Sequence, residues 1–442
     1  MKKETFGMIL PITLLAYFLI LMDNSIVFTS SIQIGESLQL SDTALSWVSN
    51  AYTLTFGGFL LLSGRLSDLL GRKRIFITGL TIFCLSSLII GIASSGTMLI
   101  IMRGIQGIGS SIIAPTTLAL MMDAYEGERR KKAISYYGAT AGIGSSLGLL
   151  IGGGLTSWIS WRAGFLINVP VTIVLILLTL RHVKDSPVTK LKIDYLGCLL
   201  SVIGLVGLIY GLTSTNVLLI LGGIFILGLF IFRQSRIDYP LLPLELFKNN
   251  IRSGAYMARL LFMMSMLPYW FYMPQVMQNQ YGFSPFEAGM GFLPLTLVNF
   301  IVALQLPRWA NKFGNGQLLM IGEVMLLIGL AWTGLSDFSN GYWLAVALPM
   351  MVIGFGQGMI LAPVTSAGIH EAPQELAGIA SGVTNMMHQI GGPIGLSIIV
   401  ATTSNFQVQF KMMAGFTLIA SLVVAVMILG LGRTSKKNSL KT

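Results

Sequence analysis

Apolar stretches of about twenty residues, almost free of charge, recur from one end of this chain to the other, and they leave few ways to fold. Hydrocarbon offers no water to backbone amides and carbonyls, so a segment that crosses it must satisfy them internally, as a helix. Crossing takes about 20 residues at a rise of about 1.5 Å each. Fourteen such stretches are read, roughly 8–28, 46–64, 75–93, 97–122, 133–155, 163–181, 195–213, 216–233, 253–277, 288–308, 317–335, 341–365, 378–404 and 411–432. Only 10% of the 442 residues are charged, against about a quarter in a soluble domain. The expectation is an all-α integral membrane protein with 14 transmembrane helices. The first stretch is too long for a signal-peptide core, carries Asp23 and lacks a small-residue cleavage site, so it is read as a retained span.

The net charge of +11 would suit nucleic acid or a membrane surface, and the placement of the charges decides between them. With the N-terminus in the cytoplasm, 24 of the 28 Lys and Arg fall in cytoplasmic segments and two, Arg162 and Lys411, fall outside. That asymmetry is the positive-inside signal. It puts both termini in the cytoplasm and removes any need for nucleic acid. Cys84 and Cys198 lie in apolar runs, form no C-x-x-C and have only three scattered histidines for company, so no metal site or cofactor is expected.

Four charges lie inside spans: Asp23, Arg103, Arg259 and Glu323. A charge at a helix centre costs about 2.5–3.5 kcal/mol on insertion scales, and such residues usually face a water-filled path or a partner. Spans 1 and 4 run in opposite directions, and counting along them puts Asp23 and Arg103 at similar depth. The same count matches Glu323 to Arg259.

A short internal repeat is visible. Arg65, Asp68 and Gly71 after span 2 align with Arg308, Asn311 and Gly314 after span 10, and Gln106-Gly with Ala114-Pro aligns with Gln357-Gly with Ala362-Pro. Both steps are eight spans, which two six-span halves and a two-span insert would give. The expected divisions are 1–192, an N-terminal six-span half; 193–236, the insert; and 237–442, a C-terminal six-span half. Repeated halves with a midplane site between them are a known transporter construction.

Gly64-Arg-Leu-Ser-Asp68-Leu-Leu-Gly71-Arg72-Lys73-Arg resembles the cytoplasmic-loop signature of the major facilitator superfamily. Arg103-Gly-Ile-Gln106-Gly resembles that family's span-4 motif. Gly144-Ser-Ser-Leu-Gly148-Leu149-Leu-Ile-Gly152-Gly153 resembles its span-5 antiporter motif, with Leu149 where the family has proline. Leu-Met-Asp23-Asn-Ser-Ile-Val and Trp161-Arg-Ala-Gly-Phe-Leu-Ile-Asn168-Val-Pro170 are similar to motifs of its fourteen-span drug/proton antiporters. The resemblance implies efflux of amphipathic, often cationic drugs across the cytoplasmic membrane, driven by protons, by a monomer without a cofactor.

Asp23 is then the expected proton carrier, tuned by Arg103: burial favours its neutral form and a nearby arginine its ionised form. The structural alternative is a static pair that only ties spans 1 and 4 together. Because span 11 corresponds to a peripheral helix in the family, Glu323 and Arg259 are expected to form a structural ion pair, with Glu323 as a second proton site the alternative reading. Asp68 is expected to cap a helix or accept from Arg72 in a loop (Gly64, Asp68, Gly71, Arg72, Lys73) that changes contacts as the transporter switches. Gly144, Gly148 and Gly152 are spaced for close helix approach. Candidate substrate contacts are Asn24, Tyr52, Gln106, Tyr137, Tyr256, Asn299, Gln357, Asn385 and His388, on a surface rich in methionine, which suits varied ligands. A proton-coupled nutrient transporter is the rival reading. An enzyme is disfavoured: no nucleophile–base set and no G-x-x-x-x-G-K-[ST] is present.

Overall fold

A computed structural model describes residues 6–185 and 192–430, and every regular element among them is helical. Lys2, Lys3, Lys190 and the basic residues from Arg433 to Lys441, counted above for topology, lie outside those residues. In chain order the helices are α1 (Ile9–Leu38), α2 (Asp42–Leu70), α3 (Arg72–Gly91), α4 (Gly96–Ala124), α5 (Gly127–Trp158), α6 (Trp161–Leu166), α7 (Asn168–His182), α8 (Tyr195–Thr213), α9 (Val217–Gln234), α10 (Asn250–Tyr281), α11 (Pro285–Met290), α12 (Leu293–Phe313), α13 (Asn315–Leu335), α14 (Leu348–Gly368), α15 (Ala377–Thr402) and α16 (Phe406–Val423). Among the described residues, each apolar stretch read from the sequence lies mostly on helix. Ten helical runs among the described residues are long and apolar enough to cross a membrane.

Several helices outrun the apolar stretches. α1 continues past Phe28 to Leu38, where Gln39 turns left-handed and Ser41 caps α2 by accepting from the amide of Ala44 at 3.3 Å. Asp23 therefore lies near the midpoint of α1. Apolar runs mark the hydrocarbon, whereas capping residues mark where the helix stops. Span 6 is broken at Ile167 into α6 and α7. Pro170 has no amide to give the carbonyl of Leu166 one turn back. Span 10 is likewise broken between α11 and α12, with Pro294 in the first turn of α12.

The chain forms two compact units. The first comprises residues 1–233, 237–241 and 283–290; the second comprises 234–236, 242–282 and 291–442. In the first, α1 packs along α5, and α4 lies against both α2 and α3. The α8–α9 pair is carried by this unit, through Cys198 and Leu62 and through Asp194, which caps α8 at Gly197 (2.9 Å) and accepts from Arg233 at 2.7 Å. In the second, α13 packs on α14 and α16, and α10 on α15 and α16.

Close approach on α5 needs glycine. A Cβ at Gly148 would stand 2.8 Å from the Cα of Met22, and one at Gly152 would stand 2.7 Å from the Cα of Ile26. The antiporter-motif glycines thus seat α5 on the turns of α1 that flank Asp23. Gly391 and Gly395 on α15 do the same against Leu260 and Met264 of α10.

Candidate functional site

Asp23 and Arg103, each with no solvent exposure, meet in the first unit, Arg103 Nη1 donating to Asp23 Oδ2 at 2.6 Å. Two side-chain amides complete the carboxylate's shell at Oδ1: Asn168 Nδ2 at 2.6 Å and Gln106 Nε2 at 2.9 Å. Asp23 accepts all three bonds, the pattern of an ionised carboxylate.

The arginine is fixed from three sides. Its Nε donates to the Val48 carbonyl at 3.0 Å, its Nη1 also reaches Gln106 Oε1 at 2.6 Å, and its guanidinium lies 4.2 Å from the ring centre of Tyr52. Tyr52 in turn donates to Ser110 at 2.8 Å. Ser87 on α3 receives Gln106 Nε2 at 2.8 Å and Asn168 Nδ2 at 3.4 Å. Five helices, α1, α2, α3, α4 and α7, thus converge on one ion pair. Two buried atoms of the cluster remain without hydrogen-bond partners: Arg103 Nη2 and Asn168 Oδ1.

The depth match of Asp23 with Arg103 becomes a contact, and Gln106 and Tyr52 join it. Asn24 has a buried Oδ1 without a hydrogen-bond partner, while Tyr137 stacks on Tyr17 at 3.9 Å. Asn168 and Ser87 were not among the sequence candidates. The signal for Asn168 was present, a strongly polar residue beside Pro170 inside a span. Nothing local distinguishes Ser87 from other span serines.

In the second unit the expected Glu323–Arg259 ion pair is not made. Glu323 is fully buried in α13 and neither carboxyl oxygen has a hydrogen-bond partner. Depth did not determine azimuth: α10 packs chiefly on α15 and α13 chiefly on α14, and both touch α16 rather than one another. His388 lies against Phe262, 6.5 Å between ring centres, and its Nδ1 and Gln357 Oε1 are buried without hydrogen-bond partners. Tyr256 donates to the Gly368 carbonyl at 2.9 Å, tying α10 to α14. Asn299 is half-buried on α12 and Asn385 is exposed on α15.

The loop motif folds as a sharp joint. Gly71, at φ 92°, separates α2 from α3, a left-handed backbone that favours glycine. Arg72 then reaches back to Asp68 Oδ1 at 3.2 Å, across to the Ala119 carbonyl at 2.8 Å, and to Asp123 at the end of α4. Lys73 donates to the Leu180 carbonyl at 3.2 Å. Gly64 lies one turn before Asp68 within α2. The repeat is visible in the backbone: Gly314, at φ 80°, separates α12 from α13 in the same way, but Asn315 replaces the arginine and donates to Ser366 at 3.2 Å. Among the described residues no His, Cys, Asp and Glu cluster could hold a metal ion.

The fold is that of a multi-helix transporter. The structure of the nucleoside transporter NupG matches it with a TM-score of 0.71 at 13% identity, covering 95% of this chain and 100% of that one. In sequence, the profile of the Major Facilitator Superfamily matches residues 13–396. The cephamycin export protein CmcT of Amycolatopsis lactamdurans is 31% identical over 419 residues, 91% of this chain and 86% of its own length. The puromycin resistance protein pur8 of Streptomyces alboniger is 32% identical over 408 residues, 88% of this chain and 80% of its own. The chain belongs to the Major Facilitator Superfamily, a family of transporters and not of enzymes.

Proposed function

We propose that this transporter exports amphipathic, often cationic drugs across the cytoplasmic membrane in exchange for protons. In this reading it spans the membrane fourteen times, with both termini in the cytoplasm, as halves 1–192 and 237–442 around the insert 193–236. It works as a monomer in the lipid bilayer and needs no cofactor beyond the proton gradient. The direction of transport is supported by the relatives, which are named for antibiotic export and resistance.

One observation carries the coupling: a lone carboxylate, fully buried, held by a single arginine and two neutral amides. A proton taken up by Asp23 cancels its charge and leaves Arg103 uncompensated in a low-dielectric interior, which costs several kcal/mol. That cost destabilises the arrangement described here and favours one in which Arg103 is rehydrated or repaired. A cationic drug competes for the same carboxylate charge. Because Asp23 is sealed from solvent here, exchange takes place in other conformers of the cycle. Breaking the Arg72 contacts to Asp68, Asp123 and the end of α4 accompanies that switch.

Glu323 is the second candidate carrier, since an isolated buried carboxyl is cheapest as the neutral acid and no cation holds it ionised. Asn24, Tyr137, Tyr256, Asn299, Gln357, Asn385 and His388 remain the candidate drug contacts; Gln106 and Tyr52 serve the proton site as well. The test is accumulation of a panel of fluorescent cations in cells, wild type against Asp23→Asn, with and without a protonophore. Wild type excludes the probes until the protonophore is added, and Asp23→Asn does not exclude them. Uphill exclusion retained by Asp23→Asn would sink the coupling role.

A further inference from the structure

The cluster is built for an ionised Asp23, and this raises the question of what receives the proton's hydrogen bond once the acid is neutral. Every group that touches the carboxylate donates to it. A protonated acid carries an O–H that needs an acceptor, and a buried donor left unmade is costly. Arg103 offers none. The one acceptor atom of Gln106 is engaged by the Arg103 guanidinium, whose Nη1 donates to it at 2.6 Å. Ser87 Oγ already receives two N–H groups. Asn168 Oδ1 is the uncommitted acceptor: it belongs to a side chain bonded to Asp23 at 2.6 Å, and it is buried with no hydrogen-bond partner.

We propose that Asn168 is a positioning residue that follows the protonation state of Asp23. Its amide presents Nδ2 to the ionised carboxylate and turns over to present Oδ1 to the protonated acid. This rests on Asp23 being the proton carrier. An asparagine suits the task because its two ends are a donor and an acceptor of nearly the same shape. Its place suits it too: it is the first residue of α7, directly after the break at Ile167. The groups facing Asp23 from the packed elements are Arg103 and Gln106 from α4, Tyr52 from α2, Ser87 from α3, Phe165 beside Arg103 from α6, and Gly148 from α5. Of these, Arg103 and Tyr52 are titratable, and the Tyr52 hydroxyl is committed to Ser110.

The experiment uses the full chain in proteoliposomes, with ethidium as the probe and drug-induced proton release read across pH. Wild type is compared with Asn168→Leu, of similar size without hydrogen bonds, and Asn168→Ser, whose hydroxyl both donates and accepts. Asn168→Leu loses the donor to the ionised carboxylate and the acceptor for the protonated acid; the bond to the charged form is the stronger, so the midpoint still moves alkaline, by less than about one pH unit. Asn168→Ser moves it back towards wild type. Infrared difference spectra on acidification carry an amide carbonyl band in wild type that is missing from both variants. A folded Asn168→Leu protein with the wild-type midpoint overturns the proposal, as does a wild-type spectrum without the amide band. Should Asn168→Leu not fold, Asn168→Ser and the wild-type spectrum decide the matter alone. Coupled release retained by Asp23→Asn defeats the carrier assignment itself, and this proposal with it.

Discussion

In the first unit the buried carboxylate of Asp23 accepts three hydrogen bonds, one of them from a buried arginine; in the second the buried carboxyl of Glu323 accepts none. Both lie in helices of the same apolar character, and both were costly enough to stand out in the sequence. The difference is in what surrounds them. One is poised as an anion whose neutralisation disrupts a network. The other can hold a proton without any partner noticing. On the proposed function the two acids therefore have unequal leverage, and the strongest tests are those that treat them alike.

The largest effect is expected from removing the charge at each site. Asp23→Asn abolishes uphill export; the asparagine oxygen still accepts from Arg103 and lets the protein fold, but the buried guanidinium loses its counter-charge and stability falls by several kcal/mol. Glu323→Gln breaks no ion pair, so thermal stability in detergent changes by less than about 1 kcal/mol, and the number of protons released per exported drug falls. Equal loss of uphill export in both variants would erase the contrast between the units.

The next effect is on stability. Removing one partner of a buried ion pair costs about 3–5 kcal/mol. Arg103→Leu strands Asp23 and also vacates the bond to Val48 and the stacking on Tyr52. Arg103→Lys restores the charge but cannot reach Asp23, Gln106 and the Val48 carbonyl at once. Thermal unfolding of the purified variants should therefore rank wild type above lysine and lysine above leucine.

How much of this could be read in advance follows the same line. Asp23 and Arg103 were legible because a charge in an apolar stretch is expensive wherever it points. The helices themselves were legible for the related reason that hydrocarbon permits little else. The role of Asn168 was only half legible, as a polar residue beside Pro170 inside a span, and that of Ser87 not at all, because neutral polar residues are tolerated on any face of a span and only packing decides what they meet. The Glu323–Arg259 expectation failed because residue counting gives depth along a helix and nothing about rotation around it. The breaks at Ile167 and before Leu293 lie close to prolines, but a proline alone does not say whether a helix bends or parts: α4, α10 and α15 contain theirs without a break.

Glycine substitutions test whether the two units hold their first helices equally tightly. Gly148→Val pushes a side chain into the backbone of Met22, beside Asp23, and Gly395→Val pushes one into Met264. Overpacking of this kind costs about 1–3 kcal/mol, so both variants lose stability to a similar degree. Only Gly148→Val is expected to lower transport beyond what its reduced protein level explains, since only there does the displaced turn carry the carboxylate. Gly222→Val, with open space at its Cβ, is the control and leaves both unchanged.

The smallest effect concerns the cytoplasmic joints. Arg72 makes its contacts to Asp68 and Asp123 with side chains partly open to solvent, 23% exposed for the arginine and 44% and 46% for the acids. Exposed pairs are worth about 0–1 kcal/mol, so Arg72→Ala changes the melting temperature little. On the proposed function, its place between α2, α3 and the end of α4 gives it leverage on switching, so transport is expected to fall while stability holds. At the corresponding joint of the second unit, Asn315→Ala removes one neutral bond to Ser366. Transport by Asn315→Ala should stay near wild type, and a loss as large as that of Arg72→Ala would mean that the backbone joint at Gly71 and Gly314, and not the ionic latch, sets the rate.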